Sequence, residues 1–275
     1  MSDSSPSRTA IGVAYLRAAH QIHEADALVL RDPVALRILG PRAEAEIRAA
    51  GARLTAEVAR ALRAHVVLRS RVAEDRLAAS LSRGIGQYVL VGAGYDTFAL
   101  RQPEFAPALR IVEVDRAETQ ARKRAAVHAA GLREPDNLHY VAVDFERESL
   151  CEGLARAQVA LDVPTFFSWL GVTMYLSPGA IDETLHCMAS FPTRSEAVVT
   201  FFQPKDGATS ALASMAATVG EPFISRITPE EFDAKLRGAG FGEVSMLTPE
   251  LAAGYFLKAG SLPAPRRTSI AMAIV

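Results

Sequence analysis

The sequence predicts an α/β fold built on a mostly parallel sheet and preceded by a helical extension. Three observations carry that expectation. Near residue 84 the chain changes pattern, from Ala-, Leu- and Arg-rich helical spacing to short β-rich runs. Those runs alternate with helical stretches, the arrangement that right-handed parallel crossovers require. The first run ends directly in Gly92-Ala93-Gly94, a turn that lets the backbone approach a ligand closely.

Helical spacing predicts helices near 8–26, 32–39, 42–49 and 52–82. Asp32-Pro33 is a helix start, with Asp as cap and Pro in the first turn, and Gly40-Pro41 ends that element. Residues 1–83 are thus expected to form a helical extension covering a ligand site, and residues 84–275 an α/β domain. Predicted strands are 88–91, 110–114, 139–143, 165–169, 197–202, 243–247 and 269–275. Helices near 116–130, 147–157, 178–190 and 228–239 lie between them, and Ser177-Pro178 and Thr228-Pro229-Glu230-Glu231 mark two of their starts. Only a short piece, 251–259, separates the last two strands, so the final strand is expected to run antiparallel.

Composition narrows the function classes. Of 275 residues, 49% are apolar and 22% charged, an ordinary globular balance. A net charge of −1 provides no field for nucleic acid or an anionic membrane. The two cysteines, Cys151 and Cys187, match no zinc spacing, and a disulfide framework is not expected. With no signal layout at the N-terminus and no apolar run of membrane length, a reducing, cytoplasmic protein is expected.

Three consecutive strand ends carry groups suited to an adenosine. The glycine turn follows the first. The second, in RIVEVD, ends in Glu113 and Asp115, where an acid accepts hydrogen bonds from both ribose hydroxyls. The third, in VAVDFE, presents Asp144 for an adenine amine and Phe145 to pack its ring. Each acid alone also reads as a helix cap. A dinucleotide would need a third glycine, but Thr97 holds that place beside Asp96, whose carboxylate would repel a pyrophosphate. S-adenosylmethionine has no phosphate and wants one basic partner for its carboxylate. Arg69 interrupts the apolar stripe Leu62, Val66, Ala73, Leu77 and suits that role, with an internal ion pair as the alternative. Arg71 faces elsewhere and is expected to pair with Asp75.

These pieces, with RDPVALRILG (31–40), RSRVAED (69–75), QYVLVGAGYDTFALR (87–101) and FFSWLGVTMYL (166–176), resemble the leucine carboxyl methyltransferase-like (Ppm-type) class I methyltransferases. The resemblance covers most of residues 8–202. It implies a Rossmann-like, seven-stranded sheet with an antiparallel last strand, an N-terminal helical cap and S-adenosylmethionine as cofactor. By that resemblance Arg69 holds the methionine carboxylate, Gly92, Ala93 and Gly94 line the methionine, Asp115 binds ribose, and Asp144 with Phe145 holds adenine. Many relatives carry Glu where this chain has Leu170, so a contact to the methionine ammonium is expected from backbone near Ser168. Leu170 also turns the expected acceptor from a protein leucine to a small molecule, methylated on a carboxylate or hydroxyl oxygen, with polyketide-type natural products among the candidates.

No metal site and no clear general base are visible. Tyr175 is the candidate for touching the acceptor; His20, His23 and His186 read as structural or surface histidines, and Trp169 and Met174 as core. Residues 203–227, with Met215 and Phe223, are expected to form the acceptor pocket with the N-terminal helices. A non-catalytic S-adenosylmethionine-binding protein and a nicotinamide-dependent oxidoreductase are the other classes considered.

Overall fold

The computed structural model describes residues 7–204, 213–214, 216–218, 220–257 and 262–275. Seven strands form a single sheet in the order β3-β2-β1-β4-β5-β7-β6. They are β1 (Gln87–Val91), β2 (Arg110–Asp115), β3 (Leu138–Ala142), β4 (Thr165–Trp169), β5 (Glu196–Thr200), β6 (Glu243–Met246) and β7 (Ile270–Ile274). The first five are parallel; β7 runs antiparallel to both β5 and β6. The chain reverses direction across the sheet between β1 and β4, and a crevice at the carboxyl ends of these strands is where such sheets hold ligands.

The central strands are apolar on both faces because both faces are covered. Val89, Val91, Phe167 and Trp169 pack with α8 (Leu150–Arg156), α9 (Pro178–Ala189) and α10 (Pro229–Ala239). Tyr88, Leu90, Phe166 and Val198 pack on the other face against Leu68, Val72 and Leu77 of α5 (Glu57–Ser80). The strongest start signals act as read. Ser177 caps α9, and Thr228 with Glu231 closes a capping box on α10.

Before α5 come α1 (Arg8–His23), α2 (Val34–Ile38), α3 (Ala43–Ala49) and α4 (Gly51–Thr55). The expected single helix over 52–82 is two, because Ala56 adopts an extended backbone (ψ 146°) between α4 and α5. Asp32 caps α2 by accepting from the Ala35 amide at 3.0 Å, and its other oxygen accepts from the Thr97 hydroxyl at 2.6 Å. One buried carboxylate thereby starts a helix and ties it to the glycine turn. Of the 251–259 piece, α11 (Pro249–Gly254) is helical; residues 258–259 lie outside the described residues.

The direction of α5 matters for the site. Arg76 and Arg83 both pair with the buried carboxylate of Glu196, the first residue of β5. Arg69 abuts Gly171, just beyond the end of β4. The helix therefore runs from the carboxyl edge of the sheet toward its amino edge. Arg71 pairs with Asp75 at 2.9 Å, away from the sheet.

One expectation is overturned. Cys151 of α8 and Cys187 of α9 form a disulfide, with Cα atoms 5.6 Å apart. The helices cross over adjacent strands, which brings together cysteines 36 residues apart in sequence. Closing a loop of that length constrains the unfolded chain by about 3–4 kcal/mol. Reduction, or the Cys151→Ser/Cys187→Ser variant, should lower stability by roughly 2–4 kcal/mol, read by thermal denaturation with and without dithiothreitol. An unchanged midpoint would show that the bridge carries no stability. No described helix is long and apolar enough to cross a membrane.

Candidate functional site

The glycine turn is shaped by close packing. Gly92 (φ 67°) and Gly94 (φ 50°) both occupy the left-handed region, which favours glycine. A Cβ on Gly92 would collide with the Val172 side chain, and one on Gly94 would meet Ala10 Cβ of α1 at 3.2 Å. The Gly92 and Ala93 amides both donate to the Val114 carbonyl, at 2.8 and 3.0 Å, which folds the turn back over β2.

Asp115, the last residue of β2, accepts from the Gly94 amide at 2.6 Å and the Arg116 amide at 2.8 Å. Burial raises its pKa, partly offset by these two amides. Glu113, two residues earlier, sits inside the protein, where Lys123 of α7 (Ala117–Ala129) donates to it at 2.5 Å. Its other oxygen, Oε1, is buried without a hydrogen-bond partner among the described residues. Asp144 lies two residues past β3, accepts from the Glu146 amide at 3.2 Å and stands 3.6 Å from Arg147. Phe145 beside it is 9% exposed. Ser168, in β4, shares a 2.8 Å hydrogen bond with the Tyr88 hydroxyl. Trp169 is fully buried; Met174 is 9% exposed.

Arg69 of α5 lies against Gly171, just past the carboxyl end of β4. It is 8% exposed, yet it belongs to no ion pair or hydrogen bond among the described residues. Burial, with Arg17 nearby, lowers its pKa to about 10, so it stays charged at neutral pH. A buried cation without a counter-ion is costly unless an anion joins it. Gly171 (φ 78°) lets the guanidinium lie against the chain; a Cβ there would come within 2.8 Å of Arg69 Cζ.

Two further residues, unmarked in the sequence reading, build the cover. Arg17 of α1 donates to the Tyr95 carbonyl and to Asp96 at 3.1 Å, fixing α1 on the turn. Burial would raise the Asp96 carboxyl, but Arg17, Lys123 and Arg101 pull it below its ordinary value. Glu221 receives the start of α1: the Ser7 hydroxyl at 3.0 Å, the Arg8 amide at 2.6 Å and the Thr9 hydroxyl. Tyr175 lies beside Thr9, and its ring meets Phe223 edge-on at 5.2 Å. Phe223 meets Phe202 at 4.6 Å, and the Ile224 amide donates to the Met174 carbonyl at 2.7 Å. The described part of the 203–227 connection thus meets α1 and the Tyr175 turn; Met215 lies outside the described residues.

His20 is fully buried, bonded to Glu24 at 3.0 Å and to the Val29 amide at 3.0 Å, so its role is structural. His186 is exposed and bonded to the Asp182 carbonyl. Among the described residues, no group of three potential metal ligands comes together.

Comparison with known proteins follows the same lines. The family model for leucine carboxyl methyltransferase matches residues 10–189. YktD of Bacillus subtilis, assigned as an S-adenosyl-L-methionine-dependent methyltransferase, is 31% identical over 66% of this chain and 62% of its own. FRAAL3718 of Frankia alni, assigned likewise, is 32% identical over 64% of this chain and 62% of its own. The match therefore spans less than two thirds of these relatives' length. Among solved structures, a protein of Thermobifida fusca assigned as a methyltransferase superposes with a TM-score of 0.59 at 17% identity, covering 99% of this chain and 95% of its own. A Streptomyces avermitilis protein gives 0.58 at 14% identity, with 98% and 97% covered. Those identities speak to the fold.

Proposed function

The chain belongs to the leucine carboxyl methyltransferase family, and from that premise we propose that it transfers the methyl group of S-adenosylmethionine to an oxygen of a small-molecule acceptor. The observation that carries the reading is Arg69, a buried guanidinium at the carboxyl edge of the sheet with no ion pair among the described residues. It fits an amino-acid carboxylate. The glycine turn supports the same fit, because its left-handed backbone at Gly92 and Gly94 packs against Val172 and Ala10 with no room for side chains.

In this reading Gly92, Ala93 and Gly94 line the methionine, and backbone near Ser168 meets its ammonium. Asp115, at the strand end, takes the ribose hydroxyls. Asp144 and Phe145 hold adenine. Glu113 is left to Lys123 and serves the fold. When bound, S-adenosylmethionine supplies a methyl group activated by a sulfonium. The protein's own part is alignment and exclusion of water. Arg17, fixed on Asp96, and Glu221, fixed on α1, hold the cover that does so.

Calorimetry with S-adenosylhomocysteine and NADH tests the reading, followed by turnover with hydroxyl and carboxyl acceptors. Binding of the first ligand alone, with turnover, is expected. NADH binding would point to an oxidoreductase, and binding without any turnover to a non-catalytic binder. Gly171→Ala should weaken S-adenosylhomocysteine roughly tenfold or more, since the added Cβ displaces the guanidinium and a loss of about 1.4 kcal/mol in binding is already tenfold. Unchanged affinity would show that Arg69 does not meet the ligand.

A further inference from the structure

His65 stands one helical turn before Arg69 on the same face of α5. Because α5 runs from the carboxyl edge of the sheet downward, His65 projects about 6 Å farther past the strand ends than Arg69 does. It keeps accessible surface, and neither ring nitrogen makes a hydrogen bond among the described residues. That sets it apart from His20, which is sealed and fully bonded. Burial and the Arg69 guanidinium hold its pKa down to about 4, so in the free protein it is the neutral, proton-accepting imidazole.

Arg17, Tyr175 and Asp96 act on Arg69. Tyr175 is near enough to Arg69 for each to shift the other's pKa, and Phe223 and Phe202 continue its wall. All three aromatics retain accessible surface. The nearest second cation, Arg17, is already committed to Asp96 and the Tyr95 carbonyl. Asp96 beside Arg69 and Glu221 beside Tyr175 would both repel an acceptor anion. A carboxylate acceptor would therefore compete with the cofactor for Arg69. A neutral aromatic hydroxyl meets no such conflict, but it needs a base.

We propose that the acceptor is an aromatic hydroxyl compound packed against Tyr175, Phe223 and Phe202, and that His65 is the catalytic base that takes its proton. The proposal rests on the methyltransferase reading above. As the hydroxyl proton passes to an imidazole nitrogen, the oxygen forms a bond to the methyl carbon. The carbon–sulfur bond breaks with its electron pair kept by sulfur, and the imidazolium then releases its proton to solvent. Pairing of Arg69 with the cofactor carboxylate relieves the smaller of the two effects that depress the imidazole, burial being the larger.

The test uses the full chain labelled with [13C-ε1]histidine and saturated with S-adenosylhomocysteine. His65→Gln identifies the His65 resonance by its loss. Titration with 2-naphthol should shift that resonance saturably, while 2-naphthoate should leave it in place. His65→Gln should bind S-adenosylhomocysteine like the parent and lose roughly 100-fold or more in methylation of a phenol that the parent turns over. A His65 resonance untouched by naphthol, or moved equally by naphthoate, overturns the proposal. So does a His65→Gln variant that retains full phenol turnover. Failure of S-adenosylhomocysteine to bind the parent protein would instead overturn the methyltransferase reading.

Discussion

Arg69→Met should leave the ligand-free protein as stable as the parent, or more stable, while weakening S-adenosylhomocysteine roughly 30- to 1,000-fold. The two effects have one cause. In the free protein the guanidinium is largely withdrawn from water and has no ion pair among the described residues, so its burial is a net cost. Methionine occupies similar space without that cost. With ligand bound, the same guanidinium is half of a buried charge pair, and truncating one half of such a pair costs about 2–5 kcal/mol. Arg69→Lys should recover part of the affinity, because an ammonium supplies charge without the planar fork. The checks are a melting curve without ligand and a calorimetric titration. A variant that melts well below the parent and binds normally would make Arg69 a structural residue.

Lys123→Met should be among the most damaging single changes to stability, costing about 3–5 kcal/mol. Lys123 and Glu113 are each 1% exposed at their side chains, 2.5 Å apart between α7 and β2. Removing the cation strands a buried carboxylate whose second oxygen already lacks a partner among the described residues. For a chain of this size that loss amounts to a midpoint drop on the order of 10 °C. Glu113→Met/Lys123→Met should return most of it, since an apolar pair of similar volume removes both desolvation costs. The double variant also decides the role of Glu113. If Glu113 serves only the fold, S-adenosylhomocysteine should bind the double variant within a few-fold of the parent. A large loss there would return Glu113 to the ribose site.

Several features could be read from one dimension because their cause is local. Period-two and period-3.6 apolar spacing arises within each element, so the strands and most helices fall within a few residues of their predicted places. Strand-end positions are likewise local. Asp115 closes β2, and Asp144 follows β3, as the runs VEVD and VAVD suggest. Arg69 was legible as an exception within an apolar stripe. His65 carried the same signal, four residues before Arg69, but a half-buried histidine among arginines is inconspicuous until the direction of α5 is known.

What the amino-acid pattern determined by itself was the alternation of elements, their caps, the glycine turn and the polar residues at the strand ends, all set by interactions within a few residues of chain. Tertiary structure decided the partners. It paired Glu113 with Lys123, joined Cys151 to Cys187 across 36 residues, and broke the long N-terminal helix at Ala56. It alone carried Glu221 to the start of α1, 212 residues from Thr9, and left Arg69 with no ion pair among the described residues. Charge pairing and burial depend on which surfaces the sheet brings together, and no local spacing encodes that.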